Sequence, residues 1–214
     1  TLEAEGRIYR RQGLGSFVAP PKTPQGLVRL TDFAQDMIRA GLNASSQVLH
    51  HAPEPAPADV AEALALPADP SGTPPYVVRL DRLRLASGEP LALDRTWLPP
   101  FYAQLLEGHD LARDTIYAVL ERHYGIPVLS GRYTIEATLA DETLAEALGL
   151  EVGRPLLRVV RVSRTAGERV VYVQHRYYRA DRVAFELELA REPDQASEEG
   201  GMPLREFATV FHRV

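Results

Sequence analysis

The segment YVVRLDRLRLASGEPLALDRTWLP (76–99) constrains this chain more than any other. Its apolar and polar residues alternate with a period of two, the pattern of half-buried strands, and Ser87-Gly88-Glu89 interrupts the alternation once. The segment therefore reads as a hairpin, with Leu83 and Leu85 on one face and Arg82 and Arg84 on the other. A plain two-residue turn at Ser87-Gly88 sets Arg82 opposite Leu93 and mixes cationic with apolar side chains. A loop longer by one residue, or a bulge at Gly88, sets Arg82 opposite Asp94 and Arg84 opposite Ala92 and brings Leu83 and Leu85 near Leu91 and Leu93. The second register keeps like with like and is the one expected. It gives a sheet face with two guanidinium groups and a carboxylate. That set reads either as a grip for one anionic group through fork-shaped, charge-assisted hydrogen bonds, or as a solvated face with ordinary ion pairs. Taken as exposed sheet residues, both arginines are expected to contribute little to stability.

Further alternating runs predict more strands: GRYTIEATLA (131–140), PLLRVVRVSR (155–164), ERVVYVQHRYY (168–178) and RVAFELEL (182–189). The third places Tyr172, Gln174, Arg176 and Tyr178 on one face, a polar-aromatic wall, and His175 on the valine side. Helical signals lie between the strands. DTIYAVLERHYGIP carries an apolar stripe of Ile116, Val119, Leu120 and His123, with Asp114 as the expected cap and Gly125 as the stop. A short helix runs from Asp141 to Leu148 and ends at Gly149. Another lies around Asp59 to Leu66 in a proline-punctuated stretch, and LTDFAQDMIRAG has capping-box spacing at Asp32 and Gln35. No internal repeat is evident. Strands outnumber helices and are joined by tight turns or single helices, which predicts an α+β fold with a mainly antiparallel sheet flanked by helices.

Charge is unevenly spread along the 214 residues. The net charge is −5, yet the first 22 residues hold Arg7, Arg10, Arg11 and Lys22 against Glu3 and Glu5. There RIYRRQGLGSFVAPPK reads as a basic hairpin with Gly13 and Gly15 at its tip, followed by a stiff proline linker. An acidic body repels nucleic acid, so any DNA contact is expected from this opening segment or from a part of the protein outside this sequence. Cysteine is absent, which fits a reducing, cytoplasmic setting, and no apolar run reaches the length of a membrane span. His50-His51 has no third ligand at useful spacing and reads as a loop. No phosphate loop, GxSxG elbow or HExxH occurs, so no catalytic residue, metal or cofactor is expected.

In order along the chain, LEAEGRIYRRQGLGSFVAPPK, LTDFAQDMIRAG, RLRLASGEPLALDRTWLP, DTIYAVLERHYGIP and YYRADRVAF resemble segments of GntR-type bacterial transcription regulators of the HutC subgroup. The first resembles the end of a winged helix-turn-helix, with its wing. The others resemble the effector domain called UTRA, which shares its fold with chorismate lyase. The resemblance implies residues 1–19 as a wing remnant, 20–28 as linker, 29–191 as an effector-binding and dimerisation domain, and 192–214 as a C-terminal tail. It further implies a homodimeric repressor that meets operator DNA through the winged head, with wing residues Arg10, Arg11, Gly13 and Gly15, and that responds to a small polar, anionic metabolite such as a sugar phosphate. The matching effector positions are Asp32, Phe33 and Ala34 at one helix start, Arg82, Arg84 and Asp94 on the hairpin, Thr115 and Tyr117 at the next helix start, and Tyr172 and Tyr178 late in the sheet. Asp32 stands in place of a small hydroxyl residue, Tyr172 in place of the glutamate of amino-sugar binders, and Leu14 in place of a basic wing-tip residue. Two other readings stay open: a chorismate lyase-like enzyme acting on a small carboxylate, suggested by the shared fold, and a dimerisation module with an empty pocket.

Overall fold

Alternation with tight turns produces the expected sheet. A computed structural model describes residues 8–11, 15–18, 43–67, 70–189 and 204–211. The chain divides into two compact units, Thr1–Leu30 with Glu186–Ala208, and Thr31–Phe185 with Thr209–Val214. In the first, β1 (Ile8–Arg11) and β2 (Gly15–Val18) pair antiparallel with Arg10 opposite Ser16 and Arg11 opposite Gly15, so the opening hairpin is present. In the second, six strands form one antiparallel sheet in the order β3-β4-β5-β8-β7-β6. These are β3 (Ala44–Pro55), β4 (Tyr76–Ala86), β5 (Glu89–Leu98), β6 (Ser130–Leu139), β7 (Pro155–Arg164) and β8 (Val170–Arg179). β9 (Val183–Leu189) pairs with β10 (Leu204–Phe211), which makes part of the sequence's final segment a strand. The helices are α1 (Ala58–Ala63), α2 (Pro100–Gln104), α3 (Ile116–Tyr124) and α4 (Glu142–Leu148). No helix among the described residues is long and apolar enough to cross a membrane.

The hairpin register is the charge-consistent one. Arg82 stands opposite Asp94 and Arg84 opposite Ala92. The device differs from the expected bulge at Gly88: Ser87 and Gly88 form a two-residue turn with φ of 51° and 91°, and the extra residue is Leu91 on β5. Positive φ at both turn positions matches the strand twist, and glycine at the second avoids a Cβ penalty.

Apolar clusters cover both faces of the sheet. On the face that carries Arg82, Leu80, Leu98 and Tyr172 pack against α2 and α3 through Tyr102, Ile116, Val119 and Leu120. On the opposite face Leu83, Leu93 and Tyr177 pack against α4, while Val77, Trp97 and Val173 pack against α1. Trp97 is therefore core.

Four expectations need correction. His50 and His51 lie in β3 rather than a loop; β3 is an edge strand, where Pro53 and Pro55 leave no central ladder bond unmade. The α3 cap is Thr115, whose Oγ1 accepts from the Ala118 N–H at 3.3 Å, and not Asp114. His123 is exposed and does not extend the α3 stripe. Finally, the sheet is built twice. β3-α1-β4-β5 and β6-α4-β7-β8 have the same element order and meet at β5 and β8, so the strand order reads alike from either edge. Residues recur at one offset as well: Arg79 with Arg158, Arg82 with Arg161, Gly88 with Gly167. The bulges recur at matching places, after Arg84 and after Ser163.

Candidate functional site

Because Arg82, Asp94 and Arg176 occupy one row across β4, β5 and β8, their side chains rise from the same sheet face. Asp94 is fully buried. Its Oδ2 accepts from Arg84 Nε at 2.7 Å and from Arg176 Nη2 at 2.8 Å, and its Oδ1 accepts from Arg176 Nε. Arg84 Nη1 donates to Ser46 Oγ on β3 at 2.7 Å, and Arg176 Nη1 donates to Tyr178 Oη at 3.1 Å. Burial alone pushes the Asp94 carboxyl up, but Arg176 and Arg84 outweigh it and hold it well below the ordinary carboxylate range. Asp94, and after it Tyr178, hold the Arg176 guanidinium above its usual value despite burial.

Arg82 lacks such compensation. It is 2% exposed, and its Nη1 donates to the carbonyls of Leu111 (3.3 Å) and Asp114 (3.2 Å), just before α3. Its Nε is buried without a hydrogen-bond partner. Burial, then repulsion from Arg84, pushes its pKa down to about 9 against the pull of Asp94. The group stays charged at neutral pH but is poorly neutralised. Arg82 and Arg84 are thus buried, which corrects the expectation of exposed residues with little bearing on stability.

Beside this cluster lies an open cavity of about 360 Å³, lined by Ser45, Ser46, Arg84, Ala112, Arg113 and Thr115. The buried Arg84 and the exposed Arg113, two serine hydroxyls and a helix start therefore meet at one concavity, a donor set suited to an oxyanion. Across the described strands of this face, Arg82, Arg84, Arg161 and Arg176 stand with one buried carboxylate, Asp94; the other, Glu89 opposite Ala86 at the hairpin turn, is exposed.

Of the residues expected from sequence, Arg82, Arg84, Asp94, Thr115 and Tyr178 come together around this cluster and cavity. Tyr178 is buried against Phe185 and Arg176, and Tyr172 is buried in the α2–α3 core, so neither lines the cavity. Tyr117 is half-buried in the first turn of α3 and is not among the lining residues. Asp32, Phe33, Ala34 and Gly13 lie outside the described residues; Arg10, Arg11 and Gly15 lie in the first hairpin. Ser46 and Arg176 were missed as site residues. Strand alternation already placed Arg176 on the Tyr178 wall, whereas Ser46 sits in the strand concealed by its prolines.

Comparison with known proteins gives a consistent result. A family profile described as the UTRA domain matches residues 39–184. The HTH-type transcriptional regulator Rv0792c of Mycobacterium tuberculosis is 32% identical over 194 residues, covering 89% of this chain and 69% of that protein. The HTH-type transcriptional repressor NagR of Bacillus subtilis is 29% identical over 185 residues, covering 86% and 73%. Among solved structures, a GntR-family transcriptional regulator from Enterococcus faecalis superposes with a TM-score of 0.57 at 25% identity, covering 67% of this chain and 99% of that one.

Proposed function

Because the chain belongs to the UTRA-domain family of GntR transcriptional regulators, we propose that the cavity beside Arg84, Ser46 and Thr115 receives its effector and that this effector is a small metabolite bearing an oxyanion. The protein is a transcriptional regulator with an effector-binding domain. The observation that carries the oxyanion reading is the excess of guanidinium groups over buried carboxylate among the described residues of the Arg82 face, next to a cavity lined by Arg84 and Arg113. A cation so placed gains most from a ligand that brings the missing negative charge. A phosphate or carboxylate in the cavity meets Arg84, the Ser46 hydroxyl and the start of α3, whose first N–H groups lack intrahelical acceptors.

In this reading residues 1–19 are the wing of a DNA-binding head, 20–28 a linker, 29–191 the effector and dimerisation domain, and 192–214 a tail. The protein works in the cytoplasm as a homodimer on operator DNA, and the effector alters how the two heads are held. Arg82 ties the sheet to the carbonyls just before α3, so an anion drawing on Arg82 or Arg84 shifts the balance between the sheet and that helix start.

The test is a thermal-shift panel of phosphorylated, carboxylated and neutral metabolites on the wild type and Arg84→Met. An anionic ligand at 100 times its Kd is expected to stabilise the wild type by about 2.7 kcal/mol and the variant by much less. A response confined to neutral compounds, or one that Arg84→Met leaves intact, refutes the assignment.

A further inference from the structure

The duplicated sheet carries a second, unassigned copy of the arginine pair. The two halves are related about the pair Arg95 and His175, so that the ion pair Asp94–Arg176 corresponds to Thr96–Gln174, where Gln174 Nε2 donates to Thr96 Oγ1 at 3.0 Å. On the outer strands Arg161 corresponds to Arg82, and Ser163 to Arg84. Tyr133 stands opposite Arg161 where Val48 stands opposite Arg82, and Tyr172 opposite Ser163 where Ala92 stands opposite Arg84.

Three observations set this second half apart from a structural remnant. First, Arg161 Nε and Ser163 Oγ are both buried with no hydrogen-bond partner, and Arg82 Nε shares that condition in the first half. Buried polar atoms are ordinarily satisfied, and two adjacent exceptions on one strand face point to an absent partner. Second, Gln174 occupies the place of Asp94, so the half-site holds a cation and no carboxylate; among the described residues Arg161 has no ion-pair partner. Third, the guanidinium carbon lies over two rings, 5.4 Å from the Tyr133 centroid and 5.3 Å from that of Tyr172, cation–π contacts that restrain the group without neutralising it. Tyr133 is 40% exposed, so the arrangement opens to solvent on the β6 side.

We propose that Arg161 and Ser163, flanked by Tyr133 and Tyr172, form a second oxyanion-binding subsite that takes a carboxylate or phosphate group of a small molecule. It does not depend on the Arg84 cavity. Each half of the sheet carries one arginine whose Nε awaits an acceptor, and the two differ in the hydroxyl or aromatic groups beside it.

The arginine Hε–Nε resonances of the full 214-residue chain, followed by NMR during separate titrations with inorganic phosphate and acetate, test this directly. The Arg161 signal is expected to move saturably with at least one of the two anions, and Arg84→Met is expected to leave that titration unchanged. Ser163→Ala, which alters only a buried hydroxyl, is expected to weaken the Arg161 titration several-fold, and Arg161→Lys to remove the titrating resonance altogether, which assigns it. An Arg161 resonance that stays fixed to about 50 mM of both anions overturns the proposal. So does an Arg161 titration that Ser163→Ala leaves unaltered, or one that vanishes in Arg84→Met, because it then reports on the first cavity. Loss of the Arg84-dependent response alone refutes the effector cavity and leaves this subsite standing.

Discussion

Replacing Asp94 by asparagine tests the electrostatics of the whole Arg82 face. The side chain keeps its shape but loses the one negative charge that two guanidinium groups bond and a third feels. Removing one partner of a buried ion pair costs about 3–5 kcal/mol. Arg176 retains 16% side-chain exposure, and water reaching it moderates the loss, so the lower end of that range is expected. For a domain of this size the loss corresponds to a Tm lowered by about 6–12 °C. The pH dependence follows from the sign of the shift. Folding lowers the Asp94 pKa, so its stabilising contribution is complete above the unfolded value of about 3.9 and is lost as pH falls toward the folded value. Urea denaturation of wild type and Asp94→Asn should therefore show a deficit that is constant from pH 8 to 5 and smaller by about 1 kcal/mol at pH 3. Adding Arg176→Met to Asp94→Asn should recover part of the loss, because the uncompensated cation leaves with it. A deficit under about 1 kcal/mol at pH 7 would refute the reasoning, as would one that does not shrink at pH 3.

Three other substitutions probe separate parts of the architecture. His175 is buried against the edge of Trp97, and burial first, then Arg158, lowers its pKa to about 4. The unfolded state therefore binds the extra proton between about pH 6.5 and 4, stability falls with pH across that window, and His175→Phe should remove roughly 1–2 kcal/mol of the wild type's loss between pH 7 and 5; parallel curves for the two proteins would count against this. Thr115→Ala deletes the α3 cap and should cost about 1 kcal/mol, with Thr115→Ser retaining most of it, as thermal unfolding will show. Arg95→Met strips Asp81 of one of its two arginine partners on the opposite sheet face, so it should lower Tm while leaving anion-induced shifts at wild-type size; a lost anion response would mean that the two faces are not independent.

What the sequence disclosed was whatever alternation and charge could carry locally. The β4–β5 register was legible because a single slip would have mixed Arg82 with Leu93, and that penalty is visible without coordinates. The pattern of β3 was not, since Pro53 and Pro55 argue against a strand unless it is known to lie at an edge. Burial of Arg82 was equally hidden: its acceptors are backbone carbonyls of Leu111 and Asp114, which residue types do not reveal. The duplication escaped notice for a chemical reason. The second half keeps Arg158, Arg161 and Gly167 but has Ser163 for Arg84 and Gln174 for Asp94, so the positions that define the first arginine site no longer look alike.

Arginine alone distinguishes neither face of this sheet from the other. Opposite the candidate site, Arg79 bonds both Glu54 and Asp81, Arg95 bonds Asp81, and Arg158 bonds Glu136, so each of these cations has a carboxylate of its own strand layer. Such pairs leave little field to attract a ligand, and helices α1 and α4 cover that face. Among the described residues, the strands of the Arg82 face carry four guanidinium groups to one buried carboxylate, in a chain whose overall charge is −5. Acidic residues were therefore available to the chain in excess, yet Asp94 is the only buried one on the described strands of this face. Burying unmatched cations destabilises a fold, and Arg82 and Arg161, each with a buried Nε lacking an acceptor, mark where that destabilisation is concentrated. In the proposed reading an external anion relieves it in either half, and the imbalance of charge between the two faces, rather than the presence of arginine, is then what a ligand would act on.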